Sequence, residues 1–216
     1  MRSDYMIDNK LRVPMGHYAA KYEAADPRAL AVRSGVPYEG GAFHITMLGS
    51  ALSASWPGFS LSAKQEGCPA PLLSDAAQLL TIRFLLEGVS VPSSGRFLTY
   101  REFPWGDVYD ANFQGRCVRR LAYAFGNDPE SFTIAAKKLG GIALSDGDAA
   151  AELIFFEQVK LRLVLFSGDD EFPPSAKFLF SDNASAAFTS EDMAAVGDLV
   201  ISALKACVVK ERSGLY

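Results

Sequence analysis

The chain has 216 residues, of which 49% are hydrophobic and 21% charged, a composition within the range of folded globular proteins. Its net charge of −4 argues against nucleic-acid binding, because a phosphate backbone is bound through clustered Lys and Arg side chains. No stretch approaches the roughly 20 apolar residues that a membrane-spanning helix needs, so we expect no membrane association.

The cysteines predict reduced thiols and neither a zinc ribbon nor an iron–sulfur cluster. Cys68, Cys117 and Cys207 lie far apart without a Cys-x-x-Cys pair, so the ligand spacing of a zinc ribbon or an iron–sulfur cluster is missing. With only two histidines, a His-rich metal site is excluded as well. Sparse, odd-numbered cysteines are typical of a reducing compartment, so we expect a cytoplasmic protein with no cofactor held by this chain alone.

The N-terminal third predicts an arm, a broken helix and a β-meander. We predict a flexible arm over residues 1–16 and a helix over residues 17–33. Asp26 and Pro27 are a typical cap and first-turn proline, so they divide that helix, and Gly35 ends it. Three short apolar runs bounded by Gly and Pro then follow, which predicts antiparallel strands over residues 42–48, 51–56 and 59–64.

The middle of the chain predicts helices. Ser74 and Asp75 begin a helix that is apolar around most of its circumference, which is typical of a central, buried helix. A short extended segment over residues 97–103 precedes a second helix from about Asp107 to Phe125. Asp128 and Pro129 repeat the cap and proline signal and begin a third helix that ends near Leu139.

The C-terminal third predicts four strands and a helix. The strands cover residues 142–144, 149–156, 159–166 and 177–181, with a hairpin at Glu157 and Gln158. An amphipathic helix follows from Thr189 to Cys207, and residues 210–216 are predicted to fray. We therefore predict one α+β domain over residues 17–209, with a mainly antiparallel sheet or sheets packed against about five helices.

Several short motifs resemble those of the bacterial and archaeal family named domain of unknown function 3786. They are Gly140-Gly141, Gly147-Asp148, residues 168–173 (Gly-Asp-Asp-Glu-Phe-Pro), residues 178–182 (Phe-Leu-Phe-Ser-Asp) and residues 189–192 (Thr-Ser-Glu-Asp). Before them, the apolar helix of residues 79–86, residues 99–103 (Thr-Tyr-Arg-Glu-Phe) and Gly106 also fit the family pattern. The resemblance extends from the first helix to Leu204 and is strongest after Gly140.

The resemblance implies an accessory role. Some relatives resemble partners of iron–sulfur and corrinoid proteins in anaerobic metabolism, and some carry a Cys-rich cluster module that this chain lacks. Any cluster would therefore belong to a separate partner protein. The chain also contains no Walker-type loop, no Gly-x-Ser-x-Gly elbow and no His-Glu-x-x-His motif. The first hypothesis is a non-catalytic binding or accessory module, with an iron–sulfur or corrinoid protein as its partner.

The acidic loop of residues 167–174 is the first candidate site. It places Asp169, Asp170 and Glu171 directly after a buried strand, and crowded carboxylates can bind a hard cation or share a proton. The neighbouring turns would add Asp146, Asp148 and Asp182 if the strand ends meet. The alternative is that these carboxylates cap local backbone amides, as Gly-Asp turns commonly do.

The second candidate site is the loop around Trp105. Arg101 can bind a carboxylate or a phosphate, and Glu102 lies beside it, while Trp105 can stack on a flat ligand. The alternative is a core tryptophan and a structural ion pair. The second function hypothesis joins both loops in one pocket, giving a small-ligand- or metal-binding enzyme with Asp170 and Glu171 as ligands or as acid and base.

Overall fold

The computed structural model of the protein describes residues 9–212, and within them the side chains of residues 15–208. This part of the chain contains eight α-helices, which are α1 (Asn9–Ala24), α2 (Pro27–Ser34), α3 (Asp75–Glu87), α4 (Gly106–Phe113), α5 (Arg119–Phe125), α6 (Pro129–Lys138), α7 (Ala184–Ala187) and α8 (Ser190–Arg212). A π-helical segment, Gln114–Val118, joins α4 to α5, so the three form one continuous helix. Short 3-10 turns lie at Ala70–Leu73 and Tyr100–Glu102.

Nine strands form a single antiparallel sheet in the described residues. They are β1 (Tyr38–Glu39), β2 (Ala42–Met47), β3 (Ser50–Ser55), β4 (Leu61–Ala63), β5 (Phe97–Thr99), β6 (Ile142–Leu144), β7 (Ala149–Phe156), β8 (Val159–Phe166) and β9 (Ser175–Ser181). The strand order is β4-β3-β2-β7-β8-β9-β5, while β1 pairs with β2 and β6 pairs with β7. The predicted α+β domain with an antiparallel sheet is confirmed.

A short junction connects the N-terminal meander to the C-terminal strands. Met47 of β2 is opposite Phe156 of β7, and the Leu48 N–H donates to the carbonyl oxygens of Ile154 and Phe155, each at 3.2 Å. The Glu157 carboxylate accepts a hydrogen bond from the Thr46 N–H at 3.1 Å. These few bonds make the two groups of strands one sheet.

Local caps set the helix boundaries where the sequence indicates them. The Asp26 carboxylate accepts from the Arg28 N–H at 3.1 Å, and Gly35 ends α2 with φ of 71°, a left-handed value that suits glycine. The Asp128 carboxylate caps α6 through the Ser131 N–H at 3.0 Å. Thr189 caps α8, with its Oγ1 accepting from the Asp192 N–H at 3.2 Å.

The core lies between the sheet and a layer of helices. Leu161, Leu163 and Leu165 alternate along β8 and are fully buried, as their spacing predicts. Helix α3 packs against α1, α2 and α8, and its Phe84 ring lies 4.4 Å from the Phe156 ring of β7. Helices α5 and α6 pack on β9 and β7. The predicted central position of α3 is thereby confirmed.

Both ends of the described chain are helical. Helix α1 begins at Asn9, inside the segment predicted as an arm, and α8 continues to Arg212, inside the predicted tail. The remaining arm and tail residues, 1–8 and 213–216, lie outside the described residues. Among the helices of residues 9–212, none has the length and apolarity to cross a membrane.

Candidate functional site

The Asp169 carboxylate stabilises the turn of the acidic loop. Its Oδ1 accepts hydrogen bonds from the Phe172 N–H at 2.7 Å and the Glu171 N–H at 2.9 Å, while its own N–H donates to the Phe172 carbonyl at 2.9 Å. The two N–H donors, that of Phe172 above all, lower the pKa of Asp169. Asp169 therefore acts as a turn-forming residue, which is the alternative that the sequence left open.

The other carboxylates of the loop do not converge on a cavity. Asp170 and Glu171 are exposed, and neither side chain has a hydrogen bond or ion pair within the part of the chain that the structure describes. Asp148 does reach the loop, where its Oδ2 accepts from the Ser167 N–H at 2.7 Å. In that same part of the chain, no three His, Cys, Asp or Glu side chains are arranged to hold a metal ion.

Asp182 lies far from the acidic loop. Strand β9 separates them, because the loop precedes Ser175 and Asp182 follows Ser181, which places them roughly 20 Å apart at the rise of an extended strand. Asp182 instead accepts hydrogen bonds from the Ser93 Oγ at 2.6 Å, the Ser94 N–H at 3.1 Å and the Ser94 hydroxyl. The condition under which Asp182 would join the acidic loop is therefore not met, because the two lie at opposite ends of β9.

Arg101 and Glu102 do not form a clamp together. Arg101 is exposed and has no ion pair among the side chains of residues 15–208. The Glu102 Oε2 accepts from the Thr99 N–H at 2.7 Å and the Thr99 Oγ1 at 2.8 Å, and the backbone N–H in particular lowers the pKa of Glu102. Glu102 therefore caps the 3-10 turn of Tyr100–Glu102.

Trp105 is exposed and has an unusual backbone conformation. Its side chain is 72% exposed, so the core position that the sequence offered as an alternative is not adopted. Its φ is 64°, in the left-handed region that bulky residues rarely occupy. The next residue must be glycine, since a Cβ on Gly106 would lie 2.0 Å from the Tyr100 carbonyl oxygen. The chain thus turns sharply into α4 and leaves the indole at the surface.

The two loops predicted to share a pocket lie at opposite ends of one helix. Trp105 directly precedes the helix Gly106–Phe125, whereas Pro174 of the acidic loop lies against Gly126 at its other end. Twenty helical residues at about 1.5 Å each separate the loops by roughly 30 Å. The structure therefore does not bring Trp105 together with Asp169, Asp170 or Glu171, and these residues do not form a joint site.

A groove of about 520 Å³, here called the Trp105 groove, opens beside α4. Aromatic, basic and hydroxyl side chains contribute most of its lining. They are Arg83 of α3; Tyr100 and Trp105; Tyr109, Asn112 and Phe113 of α4; Arg116 of the π-helical segment; and Thr189, Ser190, Glu191 and Ala194 around the start of α8. Of the candidate site residues selected from the sequence, Trp105 lines this groove, and the other residues of the lining were not selected.

Buried aromatic rings form the floor of the groove. The Tyr100 and Phe113 rings stack in parallel, with centroids 4.2 Å apart. The Tyr100 hydroxyl donates to the Ser190 carbonyl at 2.9 Å, and the Ser190 hydroxyl donates to the Pro104 carbonyl. Burial raises the pKa of Tyr100, so the phenol stays protonated and keeps this bond. These contacts fix the start of α8 against the Trp105 turn.

Two arginines contribute positive charge to the groove. The Arg83 Nη1 pairs with the Asp192 Oδ1 at 3.0 Å and its guanidinium lies over the Tyr18 ring at 5.3 Å. The Arg83 Nε is buried and has no hydrogen-bond partner among the described residues. Arg116 binds Asp198, whose other oxygen accepts from the Arg120 Nη1 at 2.9 Å. Two guanidinium groups thus share one carboxylate, leaving this cluster a net positive charge.

Exposed aromatic and basic side chains continue along the same helix beyond the groove. We define the aromatic–arginine face as Trp105, Val108, Tyr109, Arg116, Arg119, Arg120 and Tyr123, together with Lys205 of α8. Tyr123 is 70% exposed and Tyr109 is 57% exposed. The π-helical segment lies in the middle of this face, and such segments occur frequently at functional sites.

Most of this face was missed at the sequence level. The i, i+4 spacing that places Phe113, Cys117 and Leu121 in the core leaves Arg116 and Tyr123 on another face, so the helical period indicates Tyr123 as an exposed aromatic. Tyr109 lies four residues before Phe113 on the same stripe, so its exposure does not follow from this period. The groove also requires the start of α8 to lie beside α4, and no local sequence pattern indicates that the two are close.

The fold and the site together define a class of protein: a single α+β domain with one antiparallel sheet and a solvent-exposed aromatic–arginine face. Within that class, the chain belongs to the family described as domain of unknown function (DUF3786), which it matches over residues 26–203. Comparison with curated proteins gives no match, and comparison with solved structures gives none either.

Proposed function

We propose that the protein is a non-catalytic binding module that uses the aromatic–arginine face to dock onto a partner protein. The observation that carries the proposal is the exposure of Trp105, Tyr109 and Tyr123 on one continuous helix. Exposed aromatic side chains grouped on one face mark interaction sites, and Trp, Tyr and Arg are the residues most enriched at binding hot spots.

The charge of the face indicates an acidic partner surface. Arg116, Arg119, Arg120 and Lys205 lie beside the exposed rings, and of these only Arg116 and Arg120 pair with a carboxylate of the described residues, the shared Asp198. The chain as a whole carries a net charge of −4, so the positive charge of this face contrasts with the rest of the protein. Complementary charge would orient the partner and speed its association.

The chemistry around the face supports binding better than catalysis. Cys117 lies beneath it, but burial raises the pKa of its thiol to about 12, so the reactive thiolate is not populated at neutral pH. A nucleophilic side chain needs a His, Asp or Glu side chain hydrogen-bonded to it for activation. Among the Ser, Thr and Cys side chains of the described groove lining, Thr189 alone has such a bond, and its bond to Asp192 caps α8. The side chains present are suited to hold a surface.

The family resemblance of the sequence motifs implies a partner among the iron–sulfur or corrinoid proteins of anaerobic metabolism. We therefore propose a partner of that kind and an accessory role for this chain. We also propose a cytoplasmic location, which the reduced thiols of Cys68 and Cys117 support because thiols persist in reducing compartments.

Affinity purification from the native host grown anaerobically tests this proposal. The bait is the wild-type chain, and the comparison is Trp105→Ala combined with Tyr123→Ala. Phe172→Ala is the matched control, because Phe172 is also a strongly exposed aromatic, at 66%, but lies on the acidic loop. We expect an iron–sulfur or corrinoid protein to co-purify with the wild type and with the control, and to be lost with the double variant.

Reconstitution with the purified partner makes the test quantitative. We expect the double variant to weaken binding by at least about 30-fold, which corresponds to one hot-spot residue of about 2 kcal/mol. Binding should also weaken as salt rises, because basic side chains contribute to it. Equal affinity of the wild type and the double variant would contradict the assignment of this face.

A further inference from the structure

We propose that the Trp105 groove is a small-molecule site that binds a planar aromatic carboxylate. This inference does not depend on the partner protein, since it concerns a ligand bound by the isolated chain. Its support is the juxtaposition of aromatic rings, two arginines and the first turn of α8 around one cavity.

The size and the apolar lining of the groove suit a flat ligand. Its volume of about 520 Å³ lies within the roughly 300 to 1,000 Å³ of small-molecule pockets. The stacked Tyr100 and Phe113 rings form the floor, and the exposed rings of Trp105 and Tyr109 stand at the open side. A planar ring system entering this space would contact aromatic side chains of the lining, which favours offset stacking or edge-to-face contacts.

The polar end of the groove suits an anion. Arg116 lines the groove, is about half exposed and belongs to the net positive cluster around Asp198, while Arg83 lines it with its Nη1 paired to Asp192. Ser190 and Glu191 are the first two residues of a 23-residue helix, so their N–H groups have no acceptor within the helix. A carboxylate placed here would receive charge-assisted hydrogen bonds from a guanidinium group and from a helix N-terminus.

The backbone of Trp105 provides independent support. A tryptophan at φ of 64° is strained, and the strain does not bury the indole, which remains 72% exposed. Strained residues that gain no packing are concentrated at ligand sites, where the surroundings hold a side chain in position for use. Here the left-handed backbone conformation directs the chain so that the indole lines the groove.

Calorimetric titration of the purified chain tests the ligand class. The probes are 2-naphthoate and its neutral isostere 2-naphthamide. We expect 2-naphthoate to bind at least about tenfold more tightly, because charge-assisted hydrogen bonds are roughly twice as strong as neutral ones. Equal affinity for the two probes, or no binding of either, would overturn the proposal.

Two charge-removing variants should act in opposite directions on 2-naphthoate. Arg116→Gln removes a cation from the groove lining, and we expect it to weaken binding about fivefold. Glu191→Gln removes the acidic side chain of the same lining, and we expect it to strengthen binding about threefold, since exposed charges interact by less than about 1 kcal/mol. Neither variant should change the affinity for 2-naphthamide. Changes in the same direction would refute an electrostatic site.

Trp105→Gly separates a role in binding from a role in folding. Glycine adopts positive φ without strain, so we expect the melting temperature of this variant to stay the same or to rise, while 2-naphthoate affinity falls at least about tenfold. Unchanged affinity would show that the indole does not contact the ligand.

Tyr123→Ala is the control that distinguishes the two proposals. Tyr123 lies outside the groove lining, so its replacement should weaken the binding of the partner protein and leave the affinity for 2-naphthoate unchanged.

Discussion

Several carboxylates in this protein act as acceptors for backbone N–H groups. Asp26, Asp128 and Asp169 cap helices or turns through the N–H groups of residues two or three positions later. Asp148 and Asp182 do the same across the fold, binding the N–H groups of Ser167 and Ser94. Of the acidic residues that the sequence selected, Asp148, Asp169 and Asp182 thus stabilise turns, because an ionised carboxylate accepts from several donors at once, whereas the exposed Asp170 and Glu171 have no hydrogen bond within residues 15–208.

The ionised Asp182 carboxylate should stabilise the fold at neutral pH. Hydrogen bonds from Ser93 and Ser94 lower its pKa in the folded state. An acid whose folded pKa is lowered stabilises the fold above its unfolded pKa of about 3.9 and loses that contribution as pH falls through the folded value. We expect Asp182→Asn to reduce the free energy of unfolding at pH 7, and this deficit should shrink steadily below about pH 4.

Urea denaturation at several pH values measures that deficit. Asp170→Asn is the matched control, because the Asp170 carboxylate is exposed and has no hydrogen bond within residues 15–208. We expect the control to match the wild type at every pH. A deficit for Asp182→Asn that persisted unchanged at pH 3 would show that packing, and not the charge of Asp182, is responsible.

Close packing between elements centres on the contact of α8 with the π-helical segment. Gly197 of α8 lies against Cys117, where an added Cβ would be 2.5 Å from the sulfur. The Cys117 Sγ in turn donates to the Ala194 carbonyl at 3.5 Å. Glycine therefore allows α8 to approach the helix that carries the aromatic–arginine face, and this contact sets the position of the groove between them.

Gly197→Ala should reverse the usual effect of replacing a helical glycine. Alanine in a helix interior normally gains up to about 1 kcal/mol. Here we expect a net loss of about 1 to 3 kcal/mol in the free energy of unfolding, because the new methyl group overpacks the contact with Cys117. Gly16→Ala is the matched control, since Gly16 lies in α1 with nothing within 4 Å, and it should gain stability.

Chemical denaturation of the two variants gives the comparison directly. A gain for both would show that α8 can shift away from Cys117 without loss. In a Cys117→Gly background, which removes the sulfur and the Cβ that would lie 2.5 Å and 3.1 Å from the new methyl group, Gly197→Ala should raise the free energy of unfolding relative to Cys117→Gly alone.

At the scale of the whole molecule, one core joins the meander to the C-terminal strands. Phe43 and Leu52 of the meander belong to the same buried cluster as Leu163 of β8 and Leu204 of α8. The backbone junction between the two strand groups is short, with Met47 opposite Phe156. Shared side-chain packing, more than the ladder itself, therefore holds the sheet together.

This shared core predicts a single unfolding transition. In a Trp105→Phe variant, the remaining Trp56 reports on the meander, where its indole N–H donates to the Tyr22 carbonyl at 3.3 Å. Far-UV circular dichroism reports on the helices and strands of the whole chain. We expect the two signals to coincide in urea, as they do when unfolding is cooperative. A Trp56 transition at lower urea would show that the meander unfolds separately.

The agreement between sequence and structure is best where the determinants are local. Caps such as Asp26, Asp128 and Thr189 satisfy donors in the next turn, so their effect requires only a few neighbouring residues. The alternation in β8 is equally local, because successive side chains point to opposite faces. The family motifs, too, are short and contiguous. These features therefore followed from residue order alone.

Everything that required two distant segments to meet was decided by the tertiary structure. The sequence indicated neither that β2 would pair with β7 nor that the acidic loop and Trp105 would lie at opposite ends of one helix. It placed Trp105 in a candidate site but could not supply Arg83, Arg116 and Ser190 beside it. The physical reason is that a local pattern specifies which face of an element is buried, whereas the packing of all elements in one core specifies which faces meet.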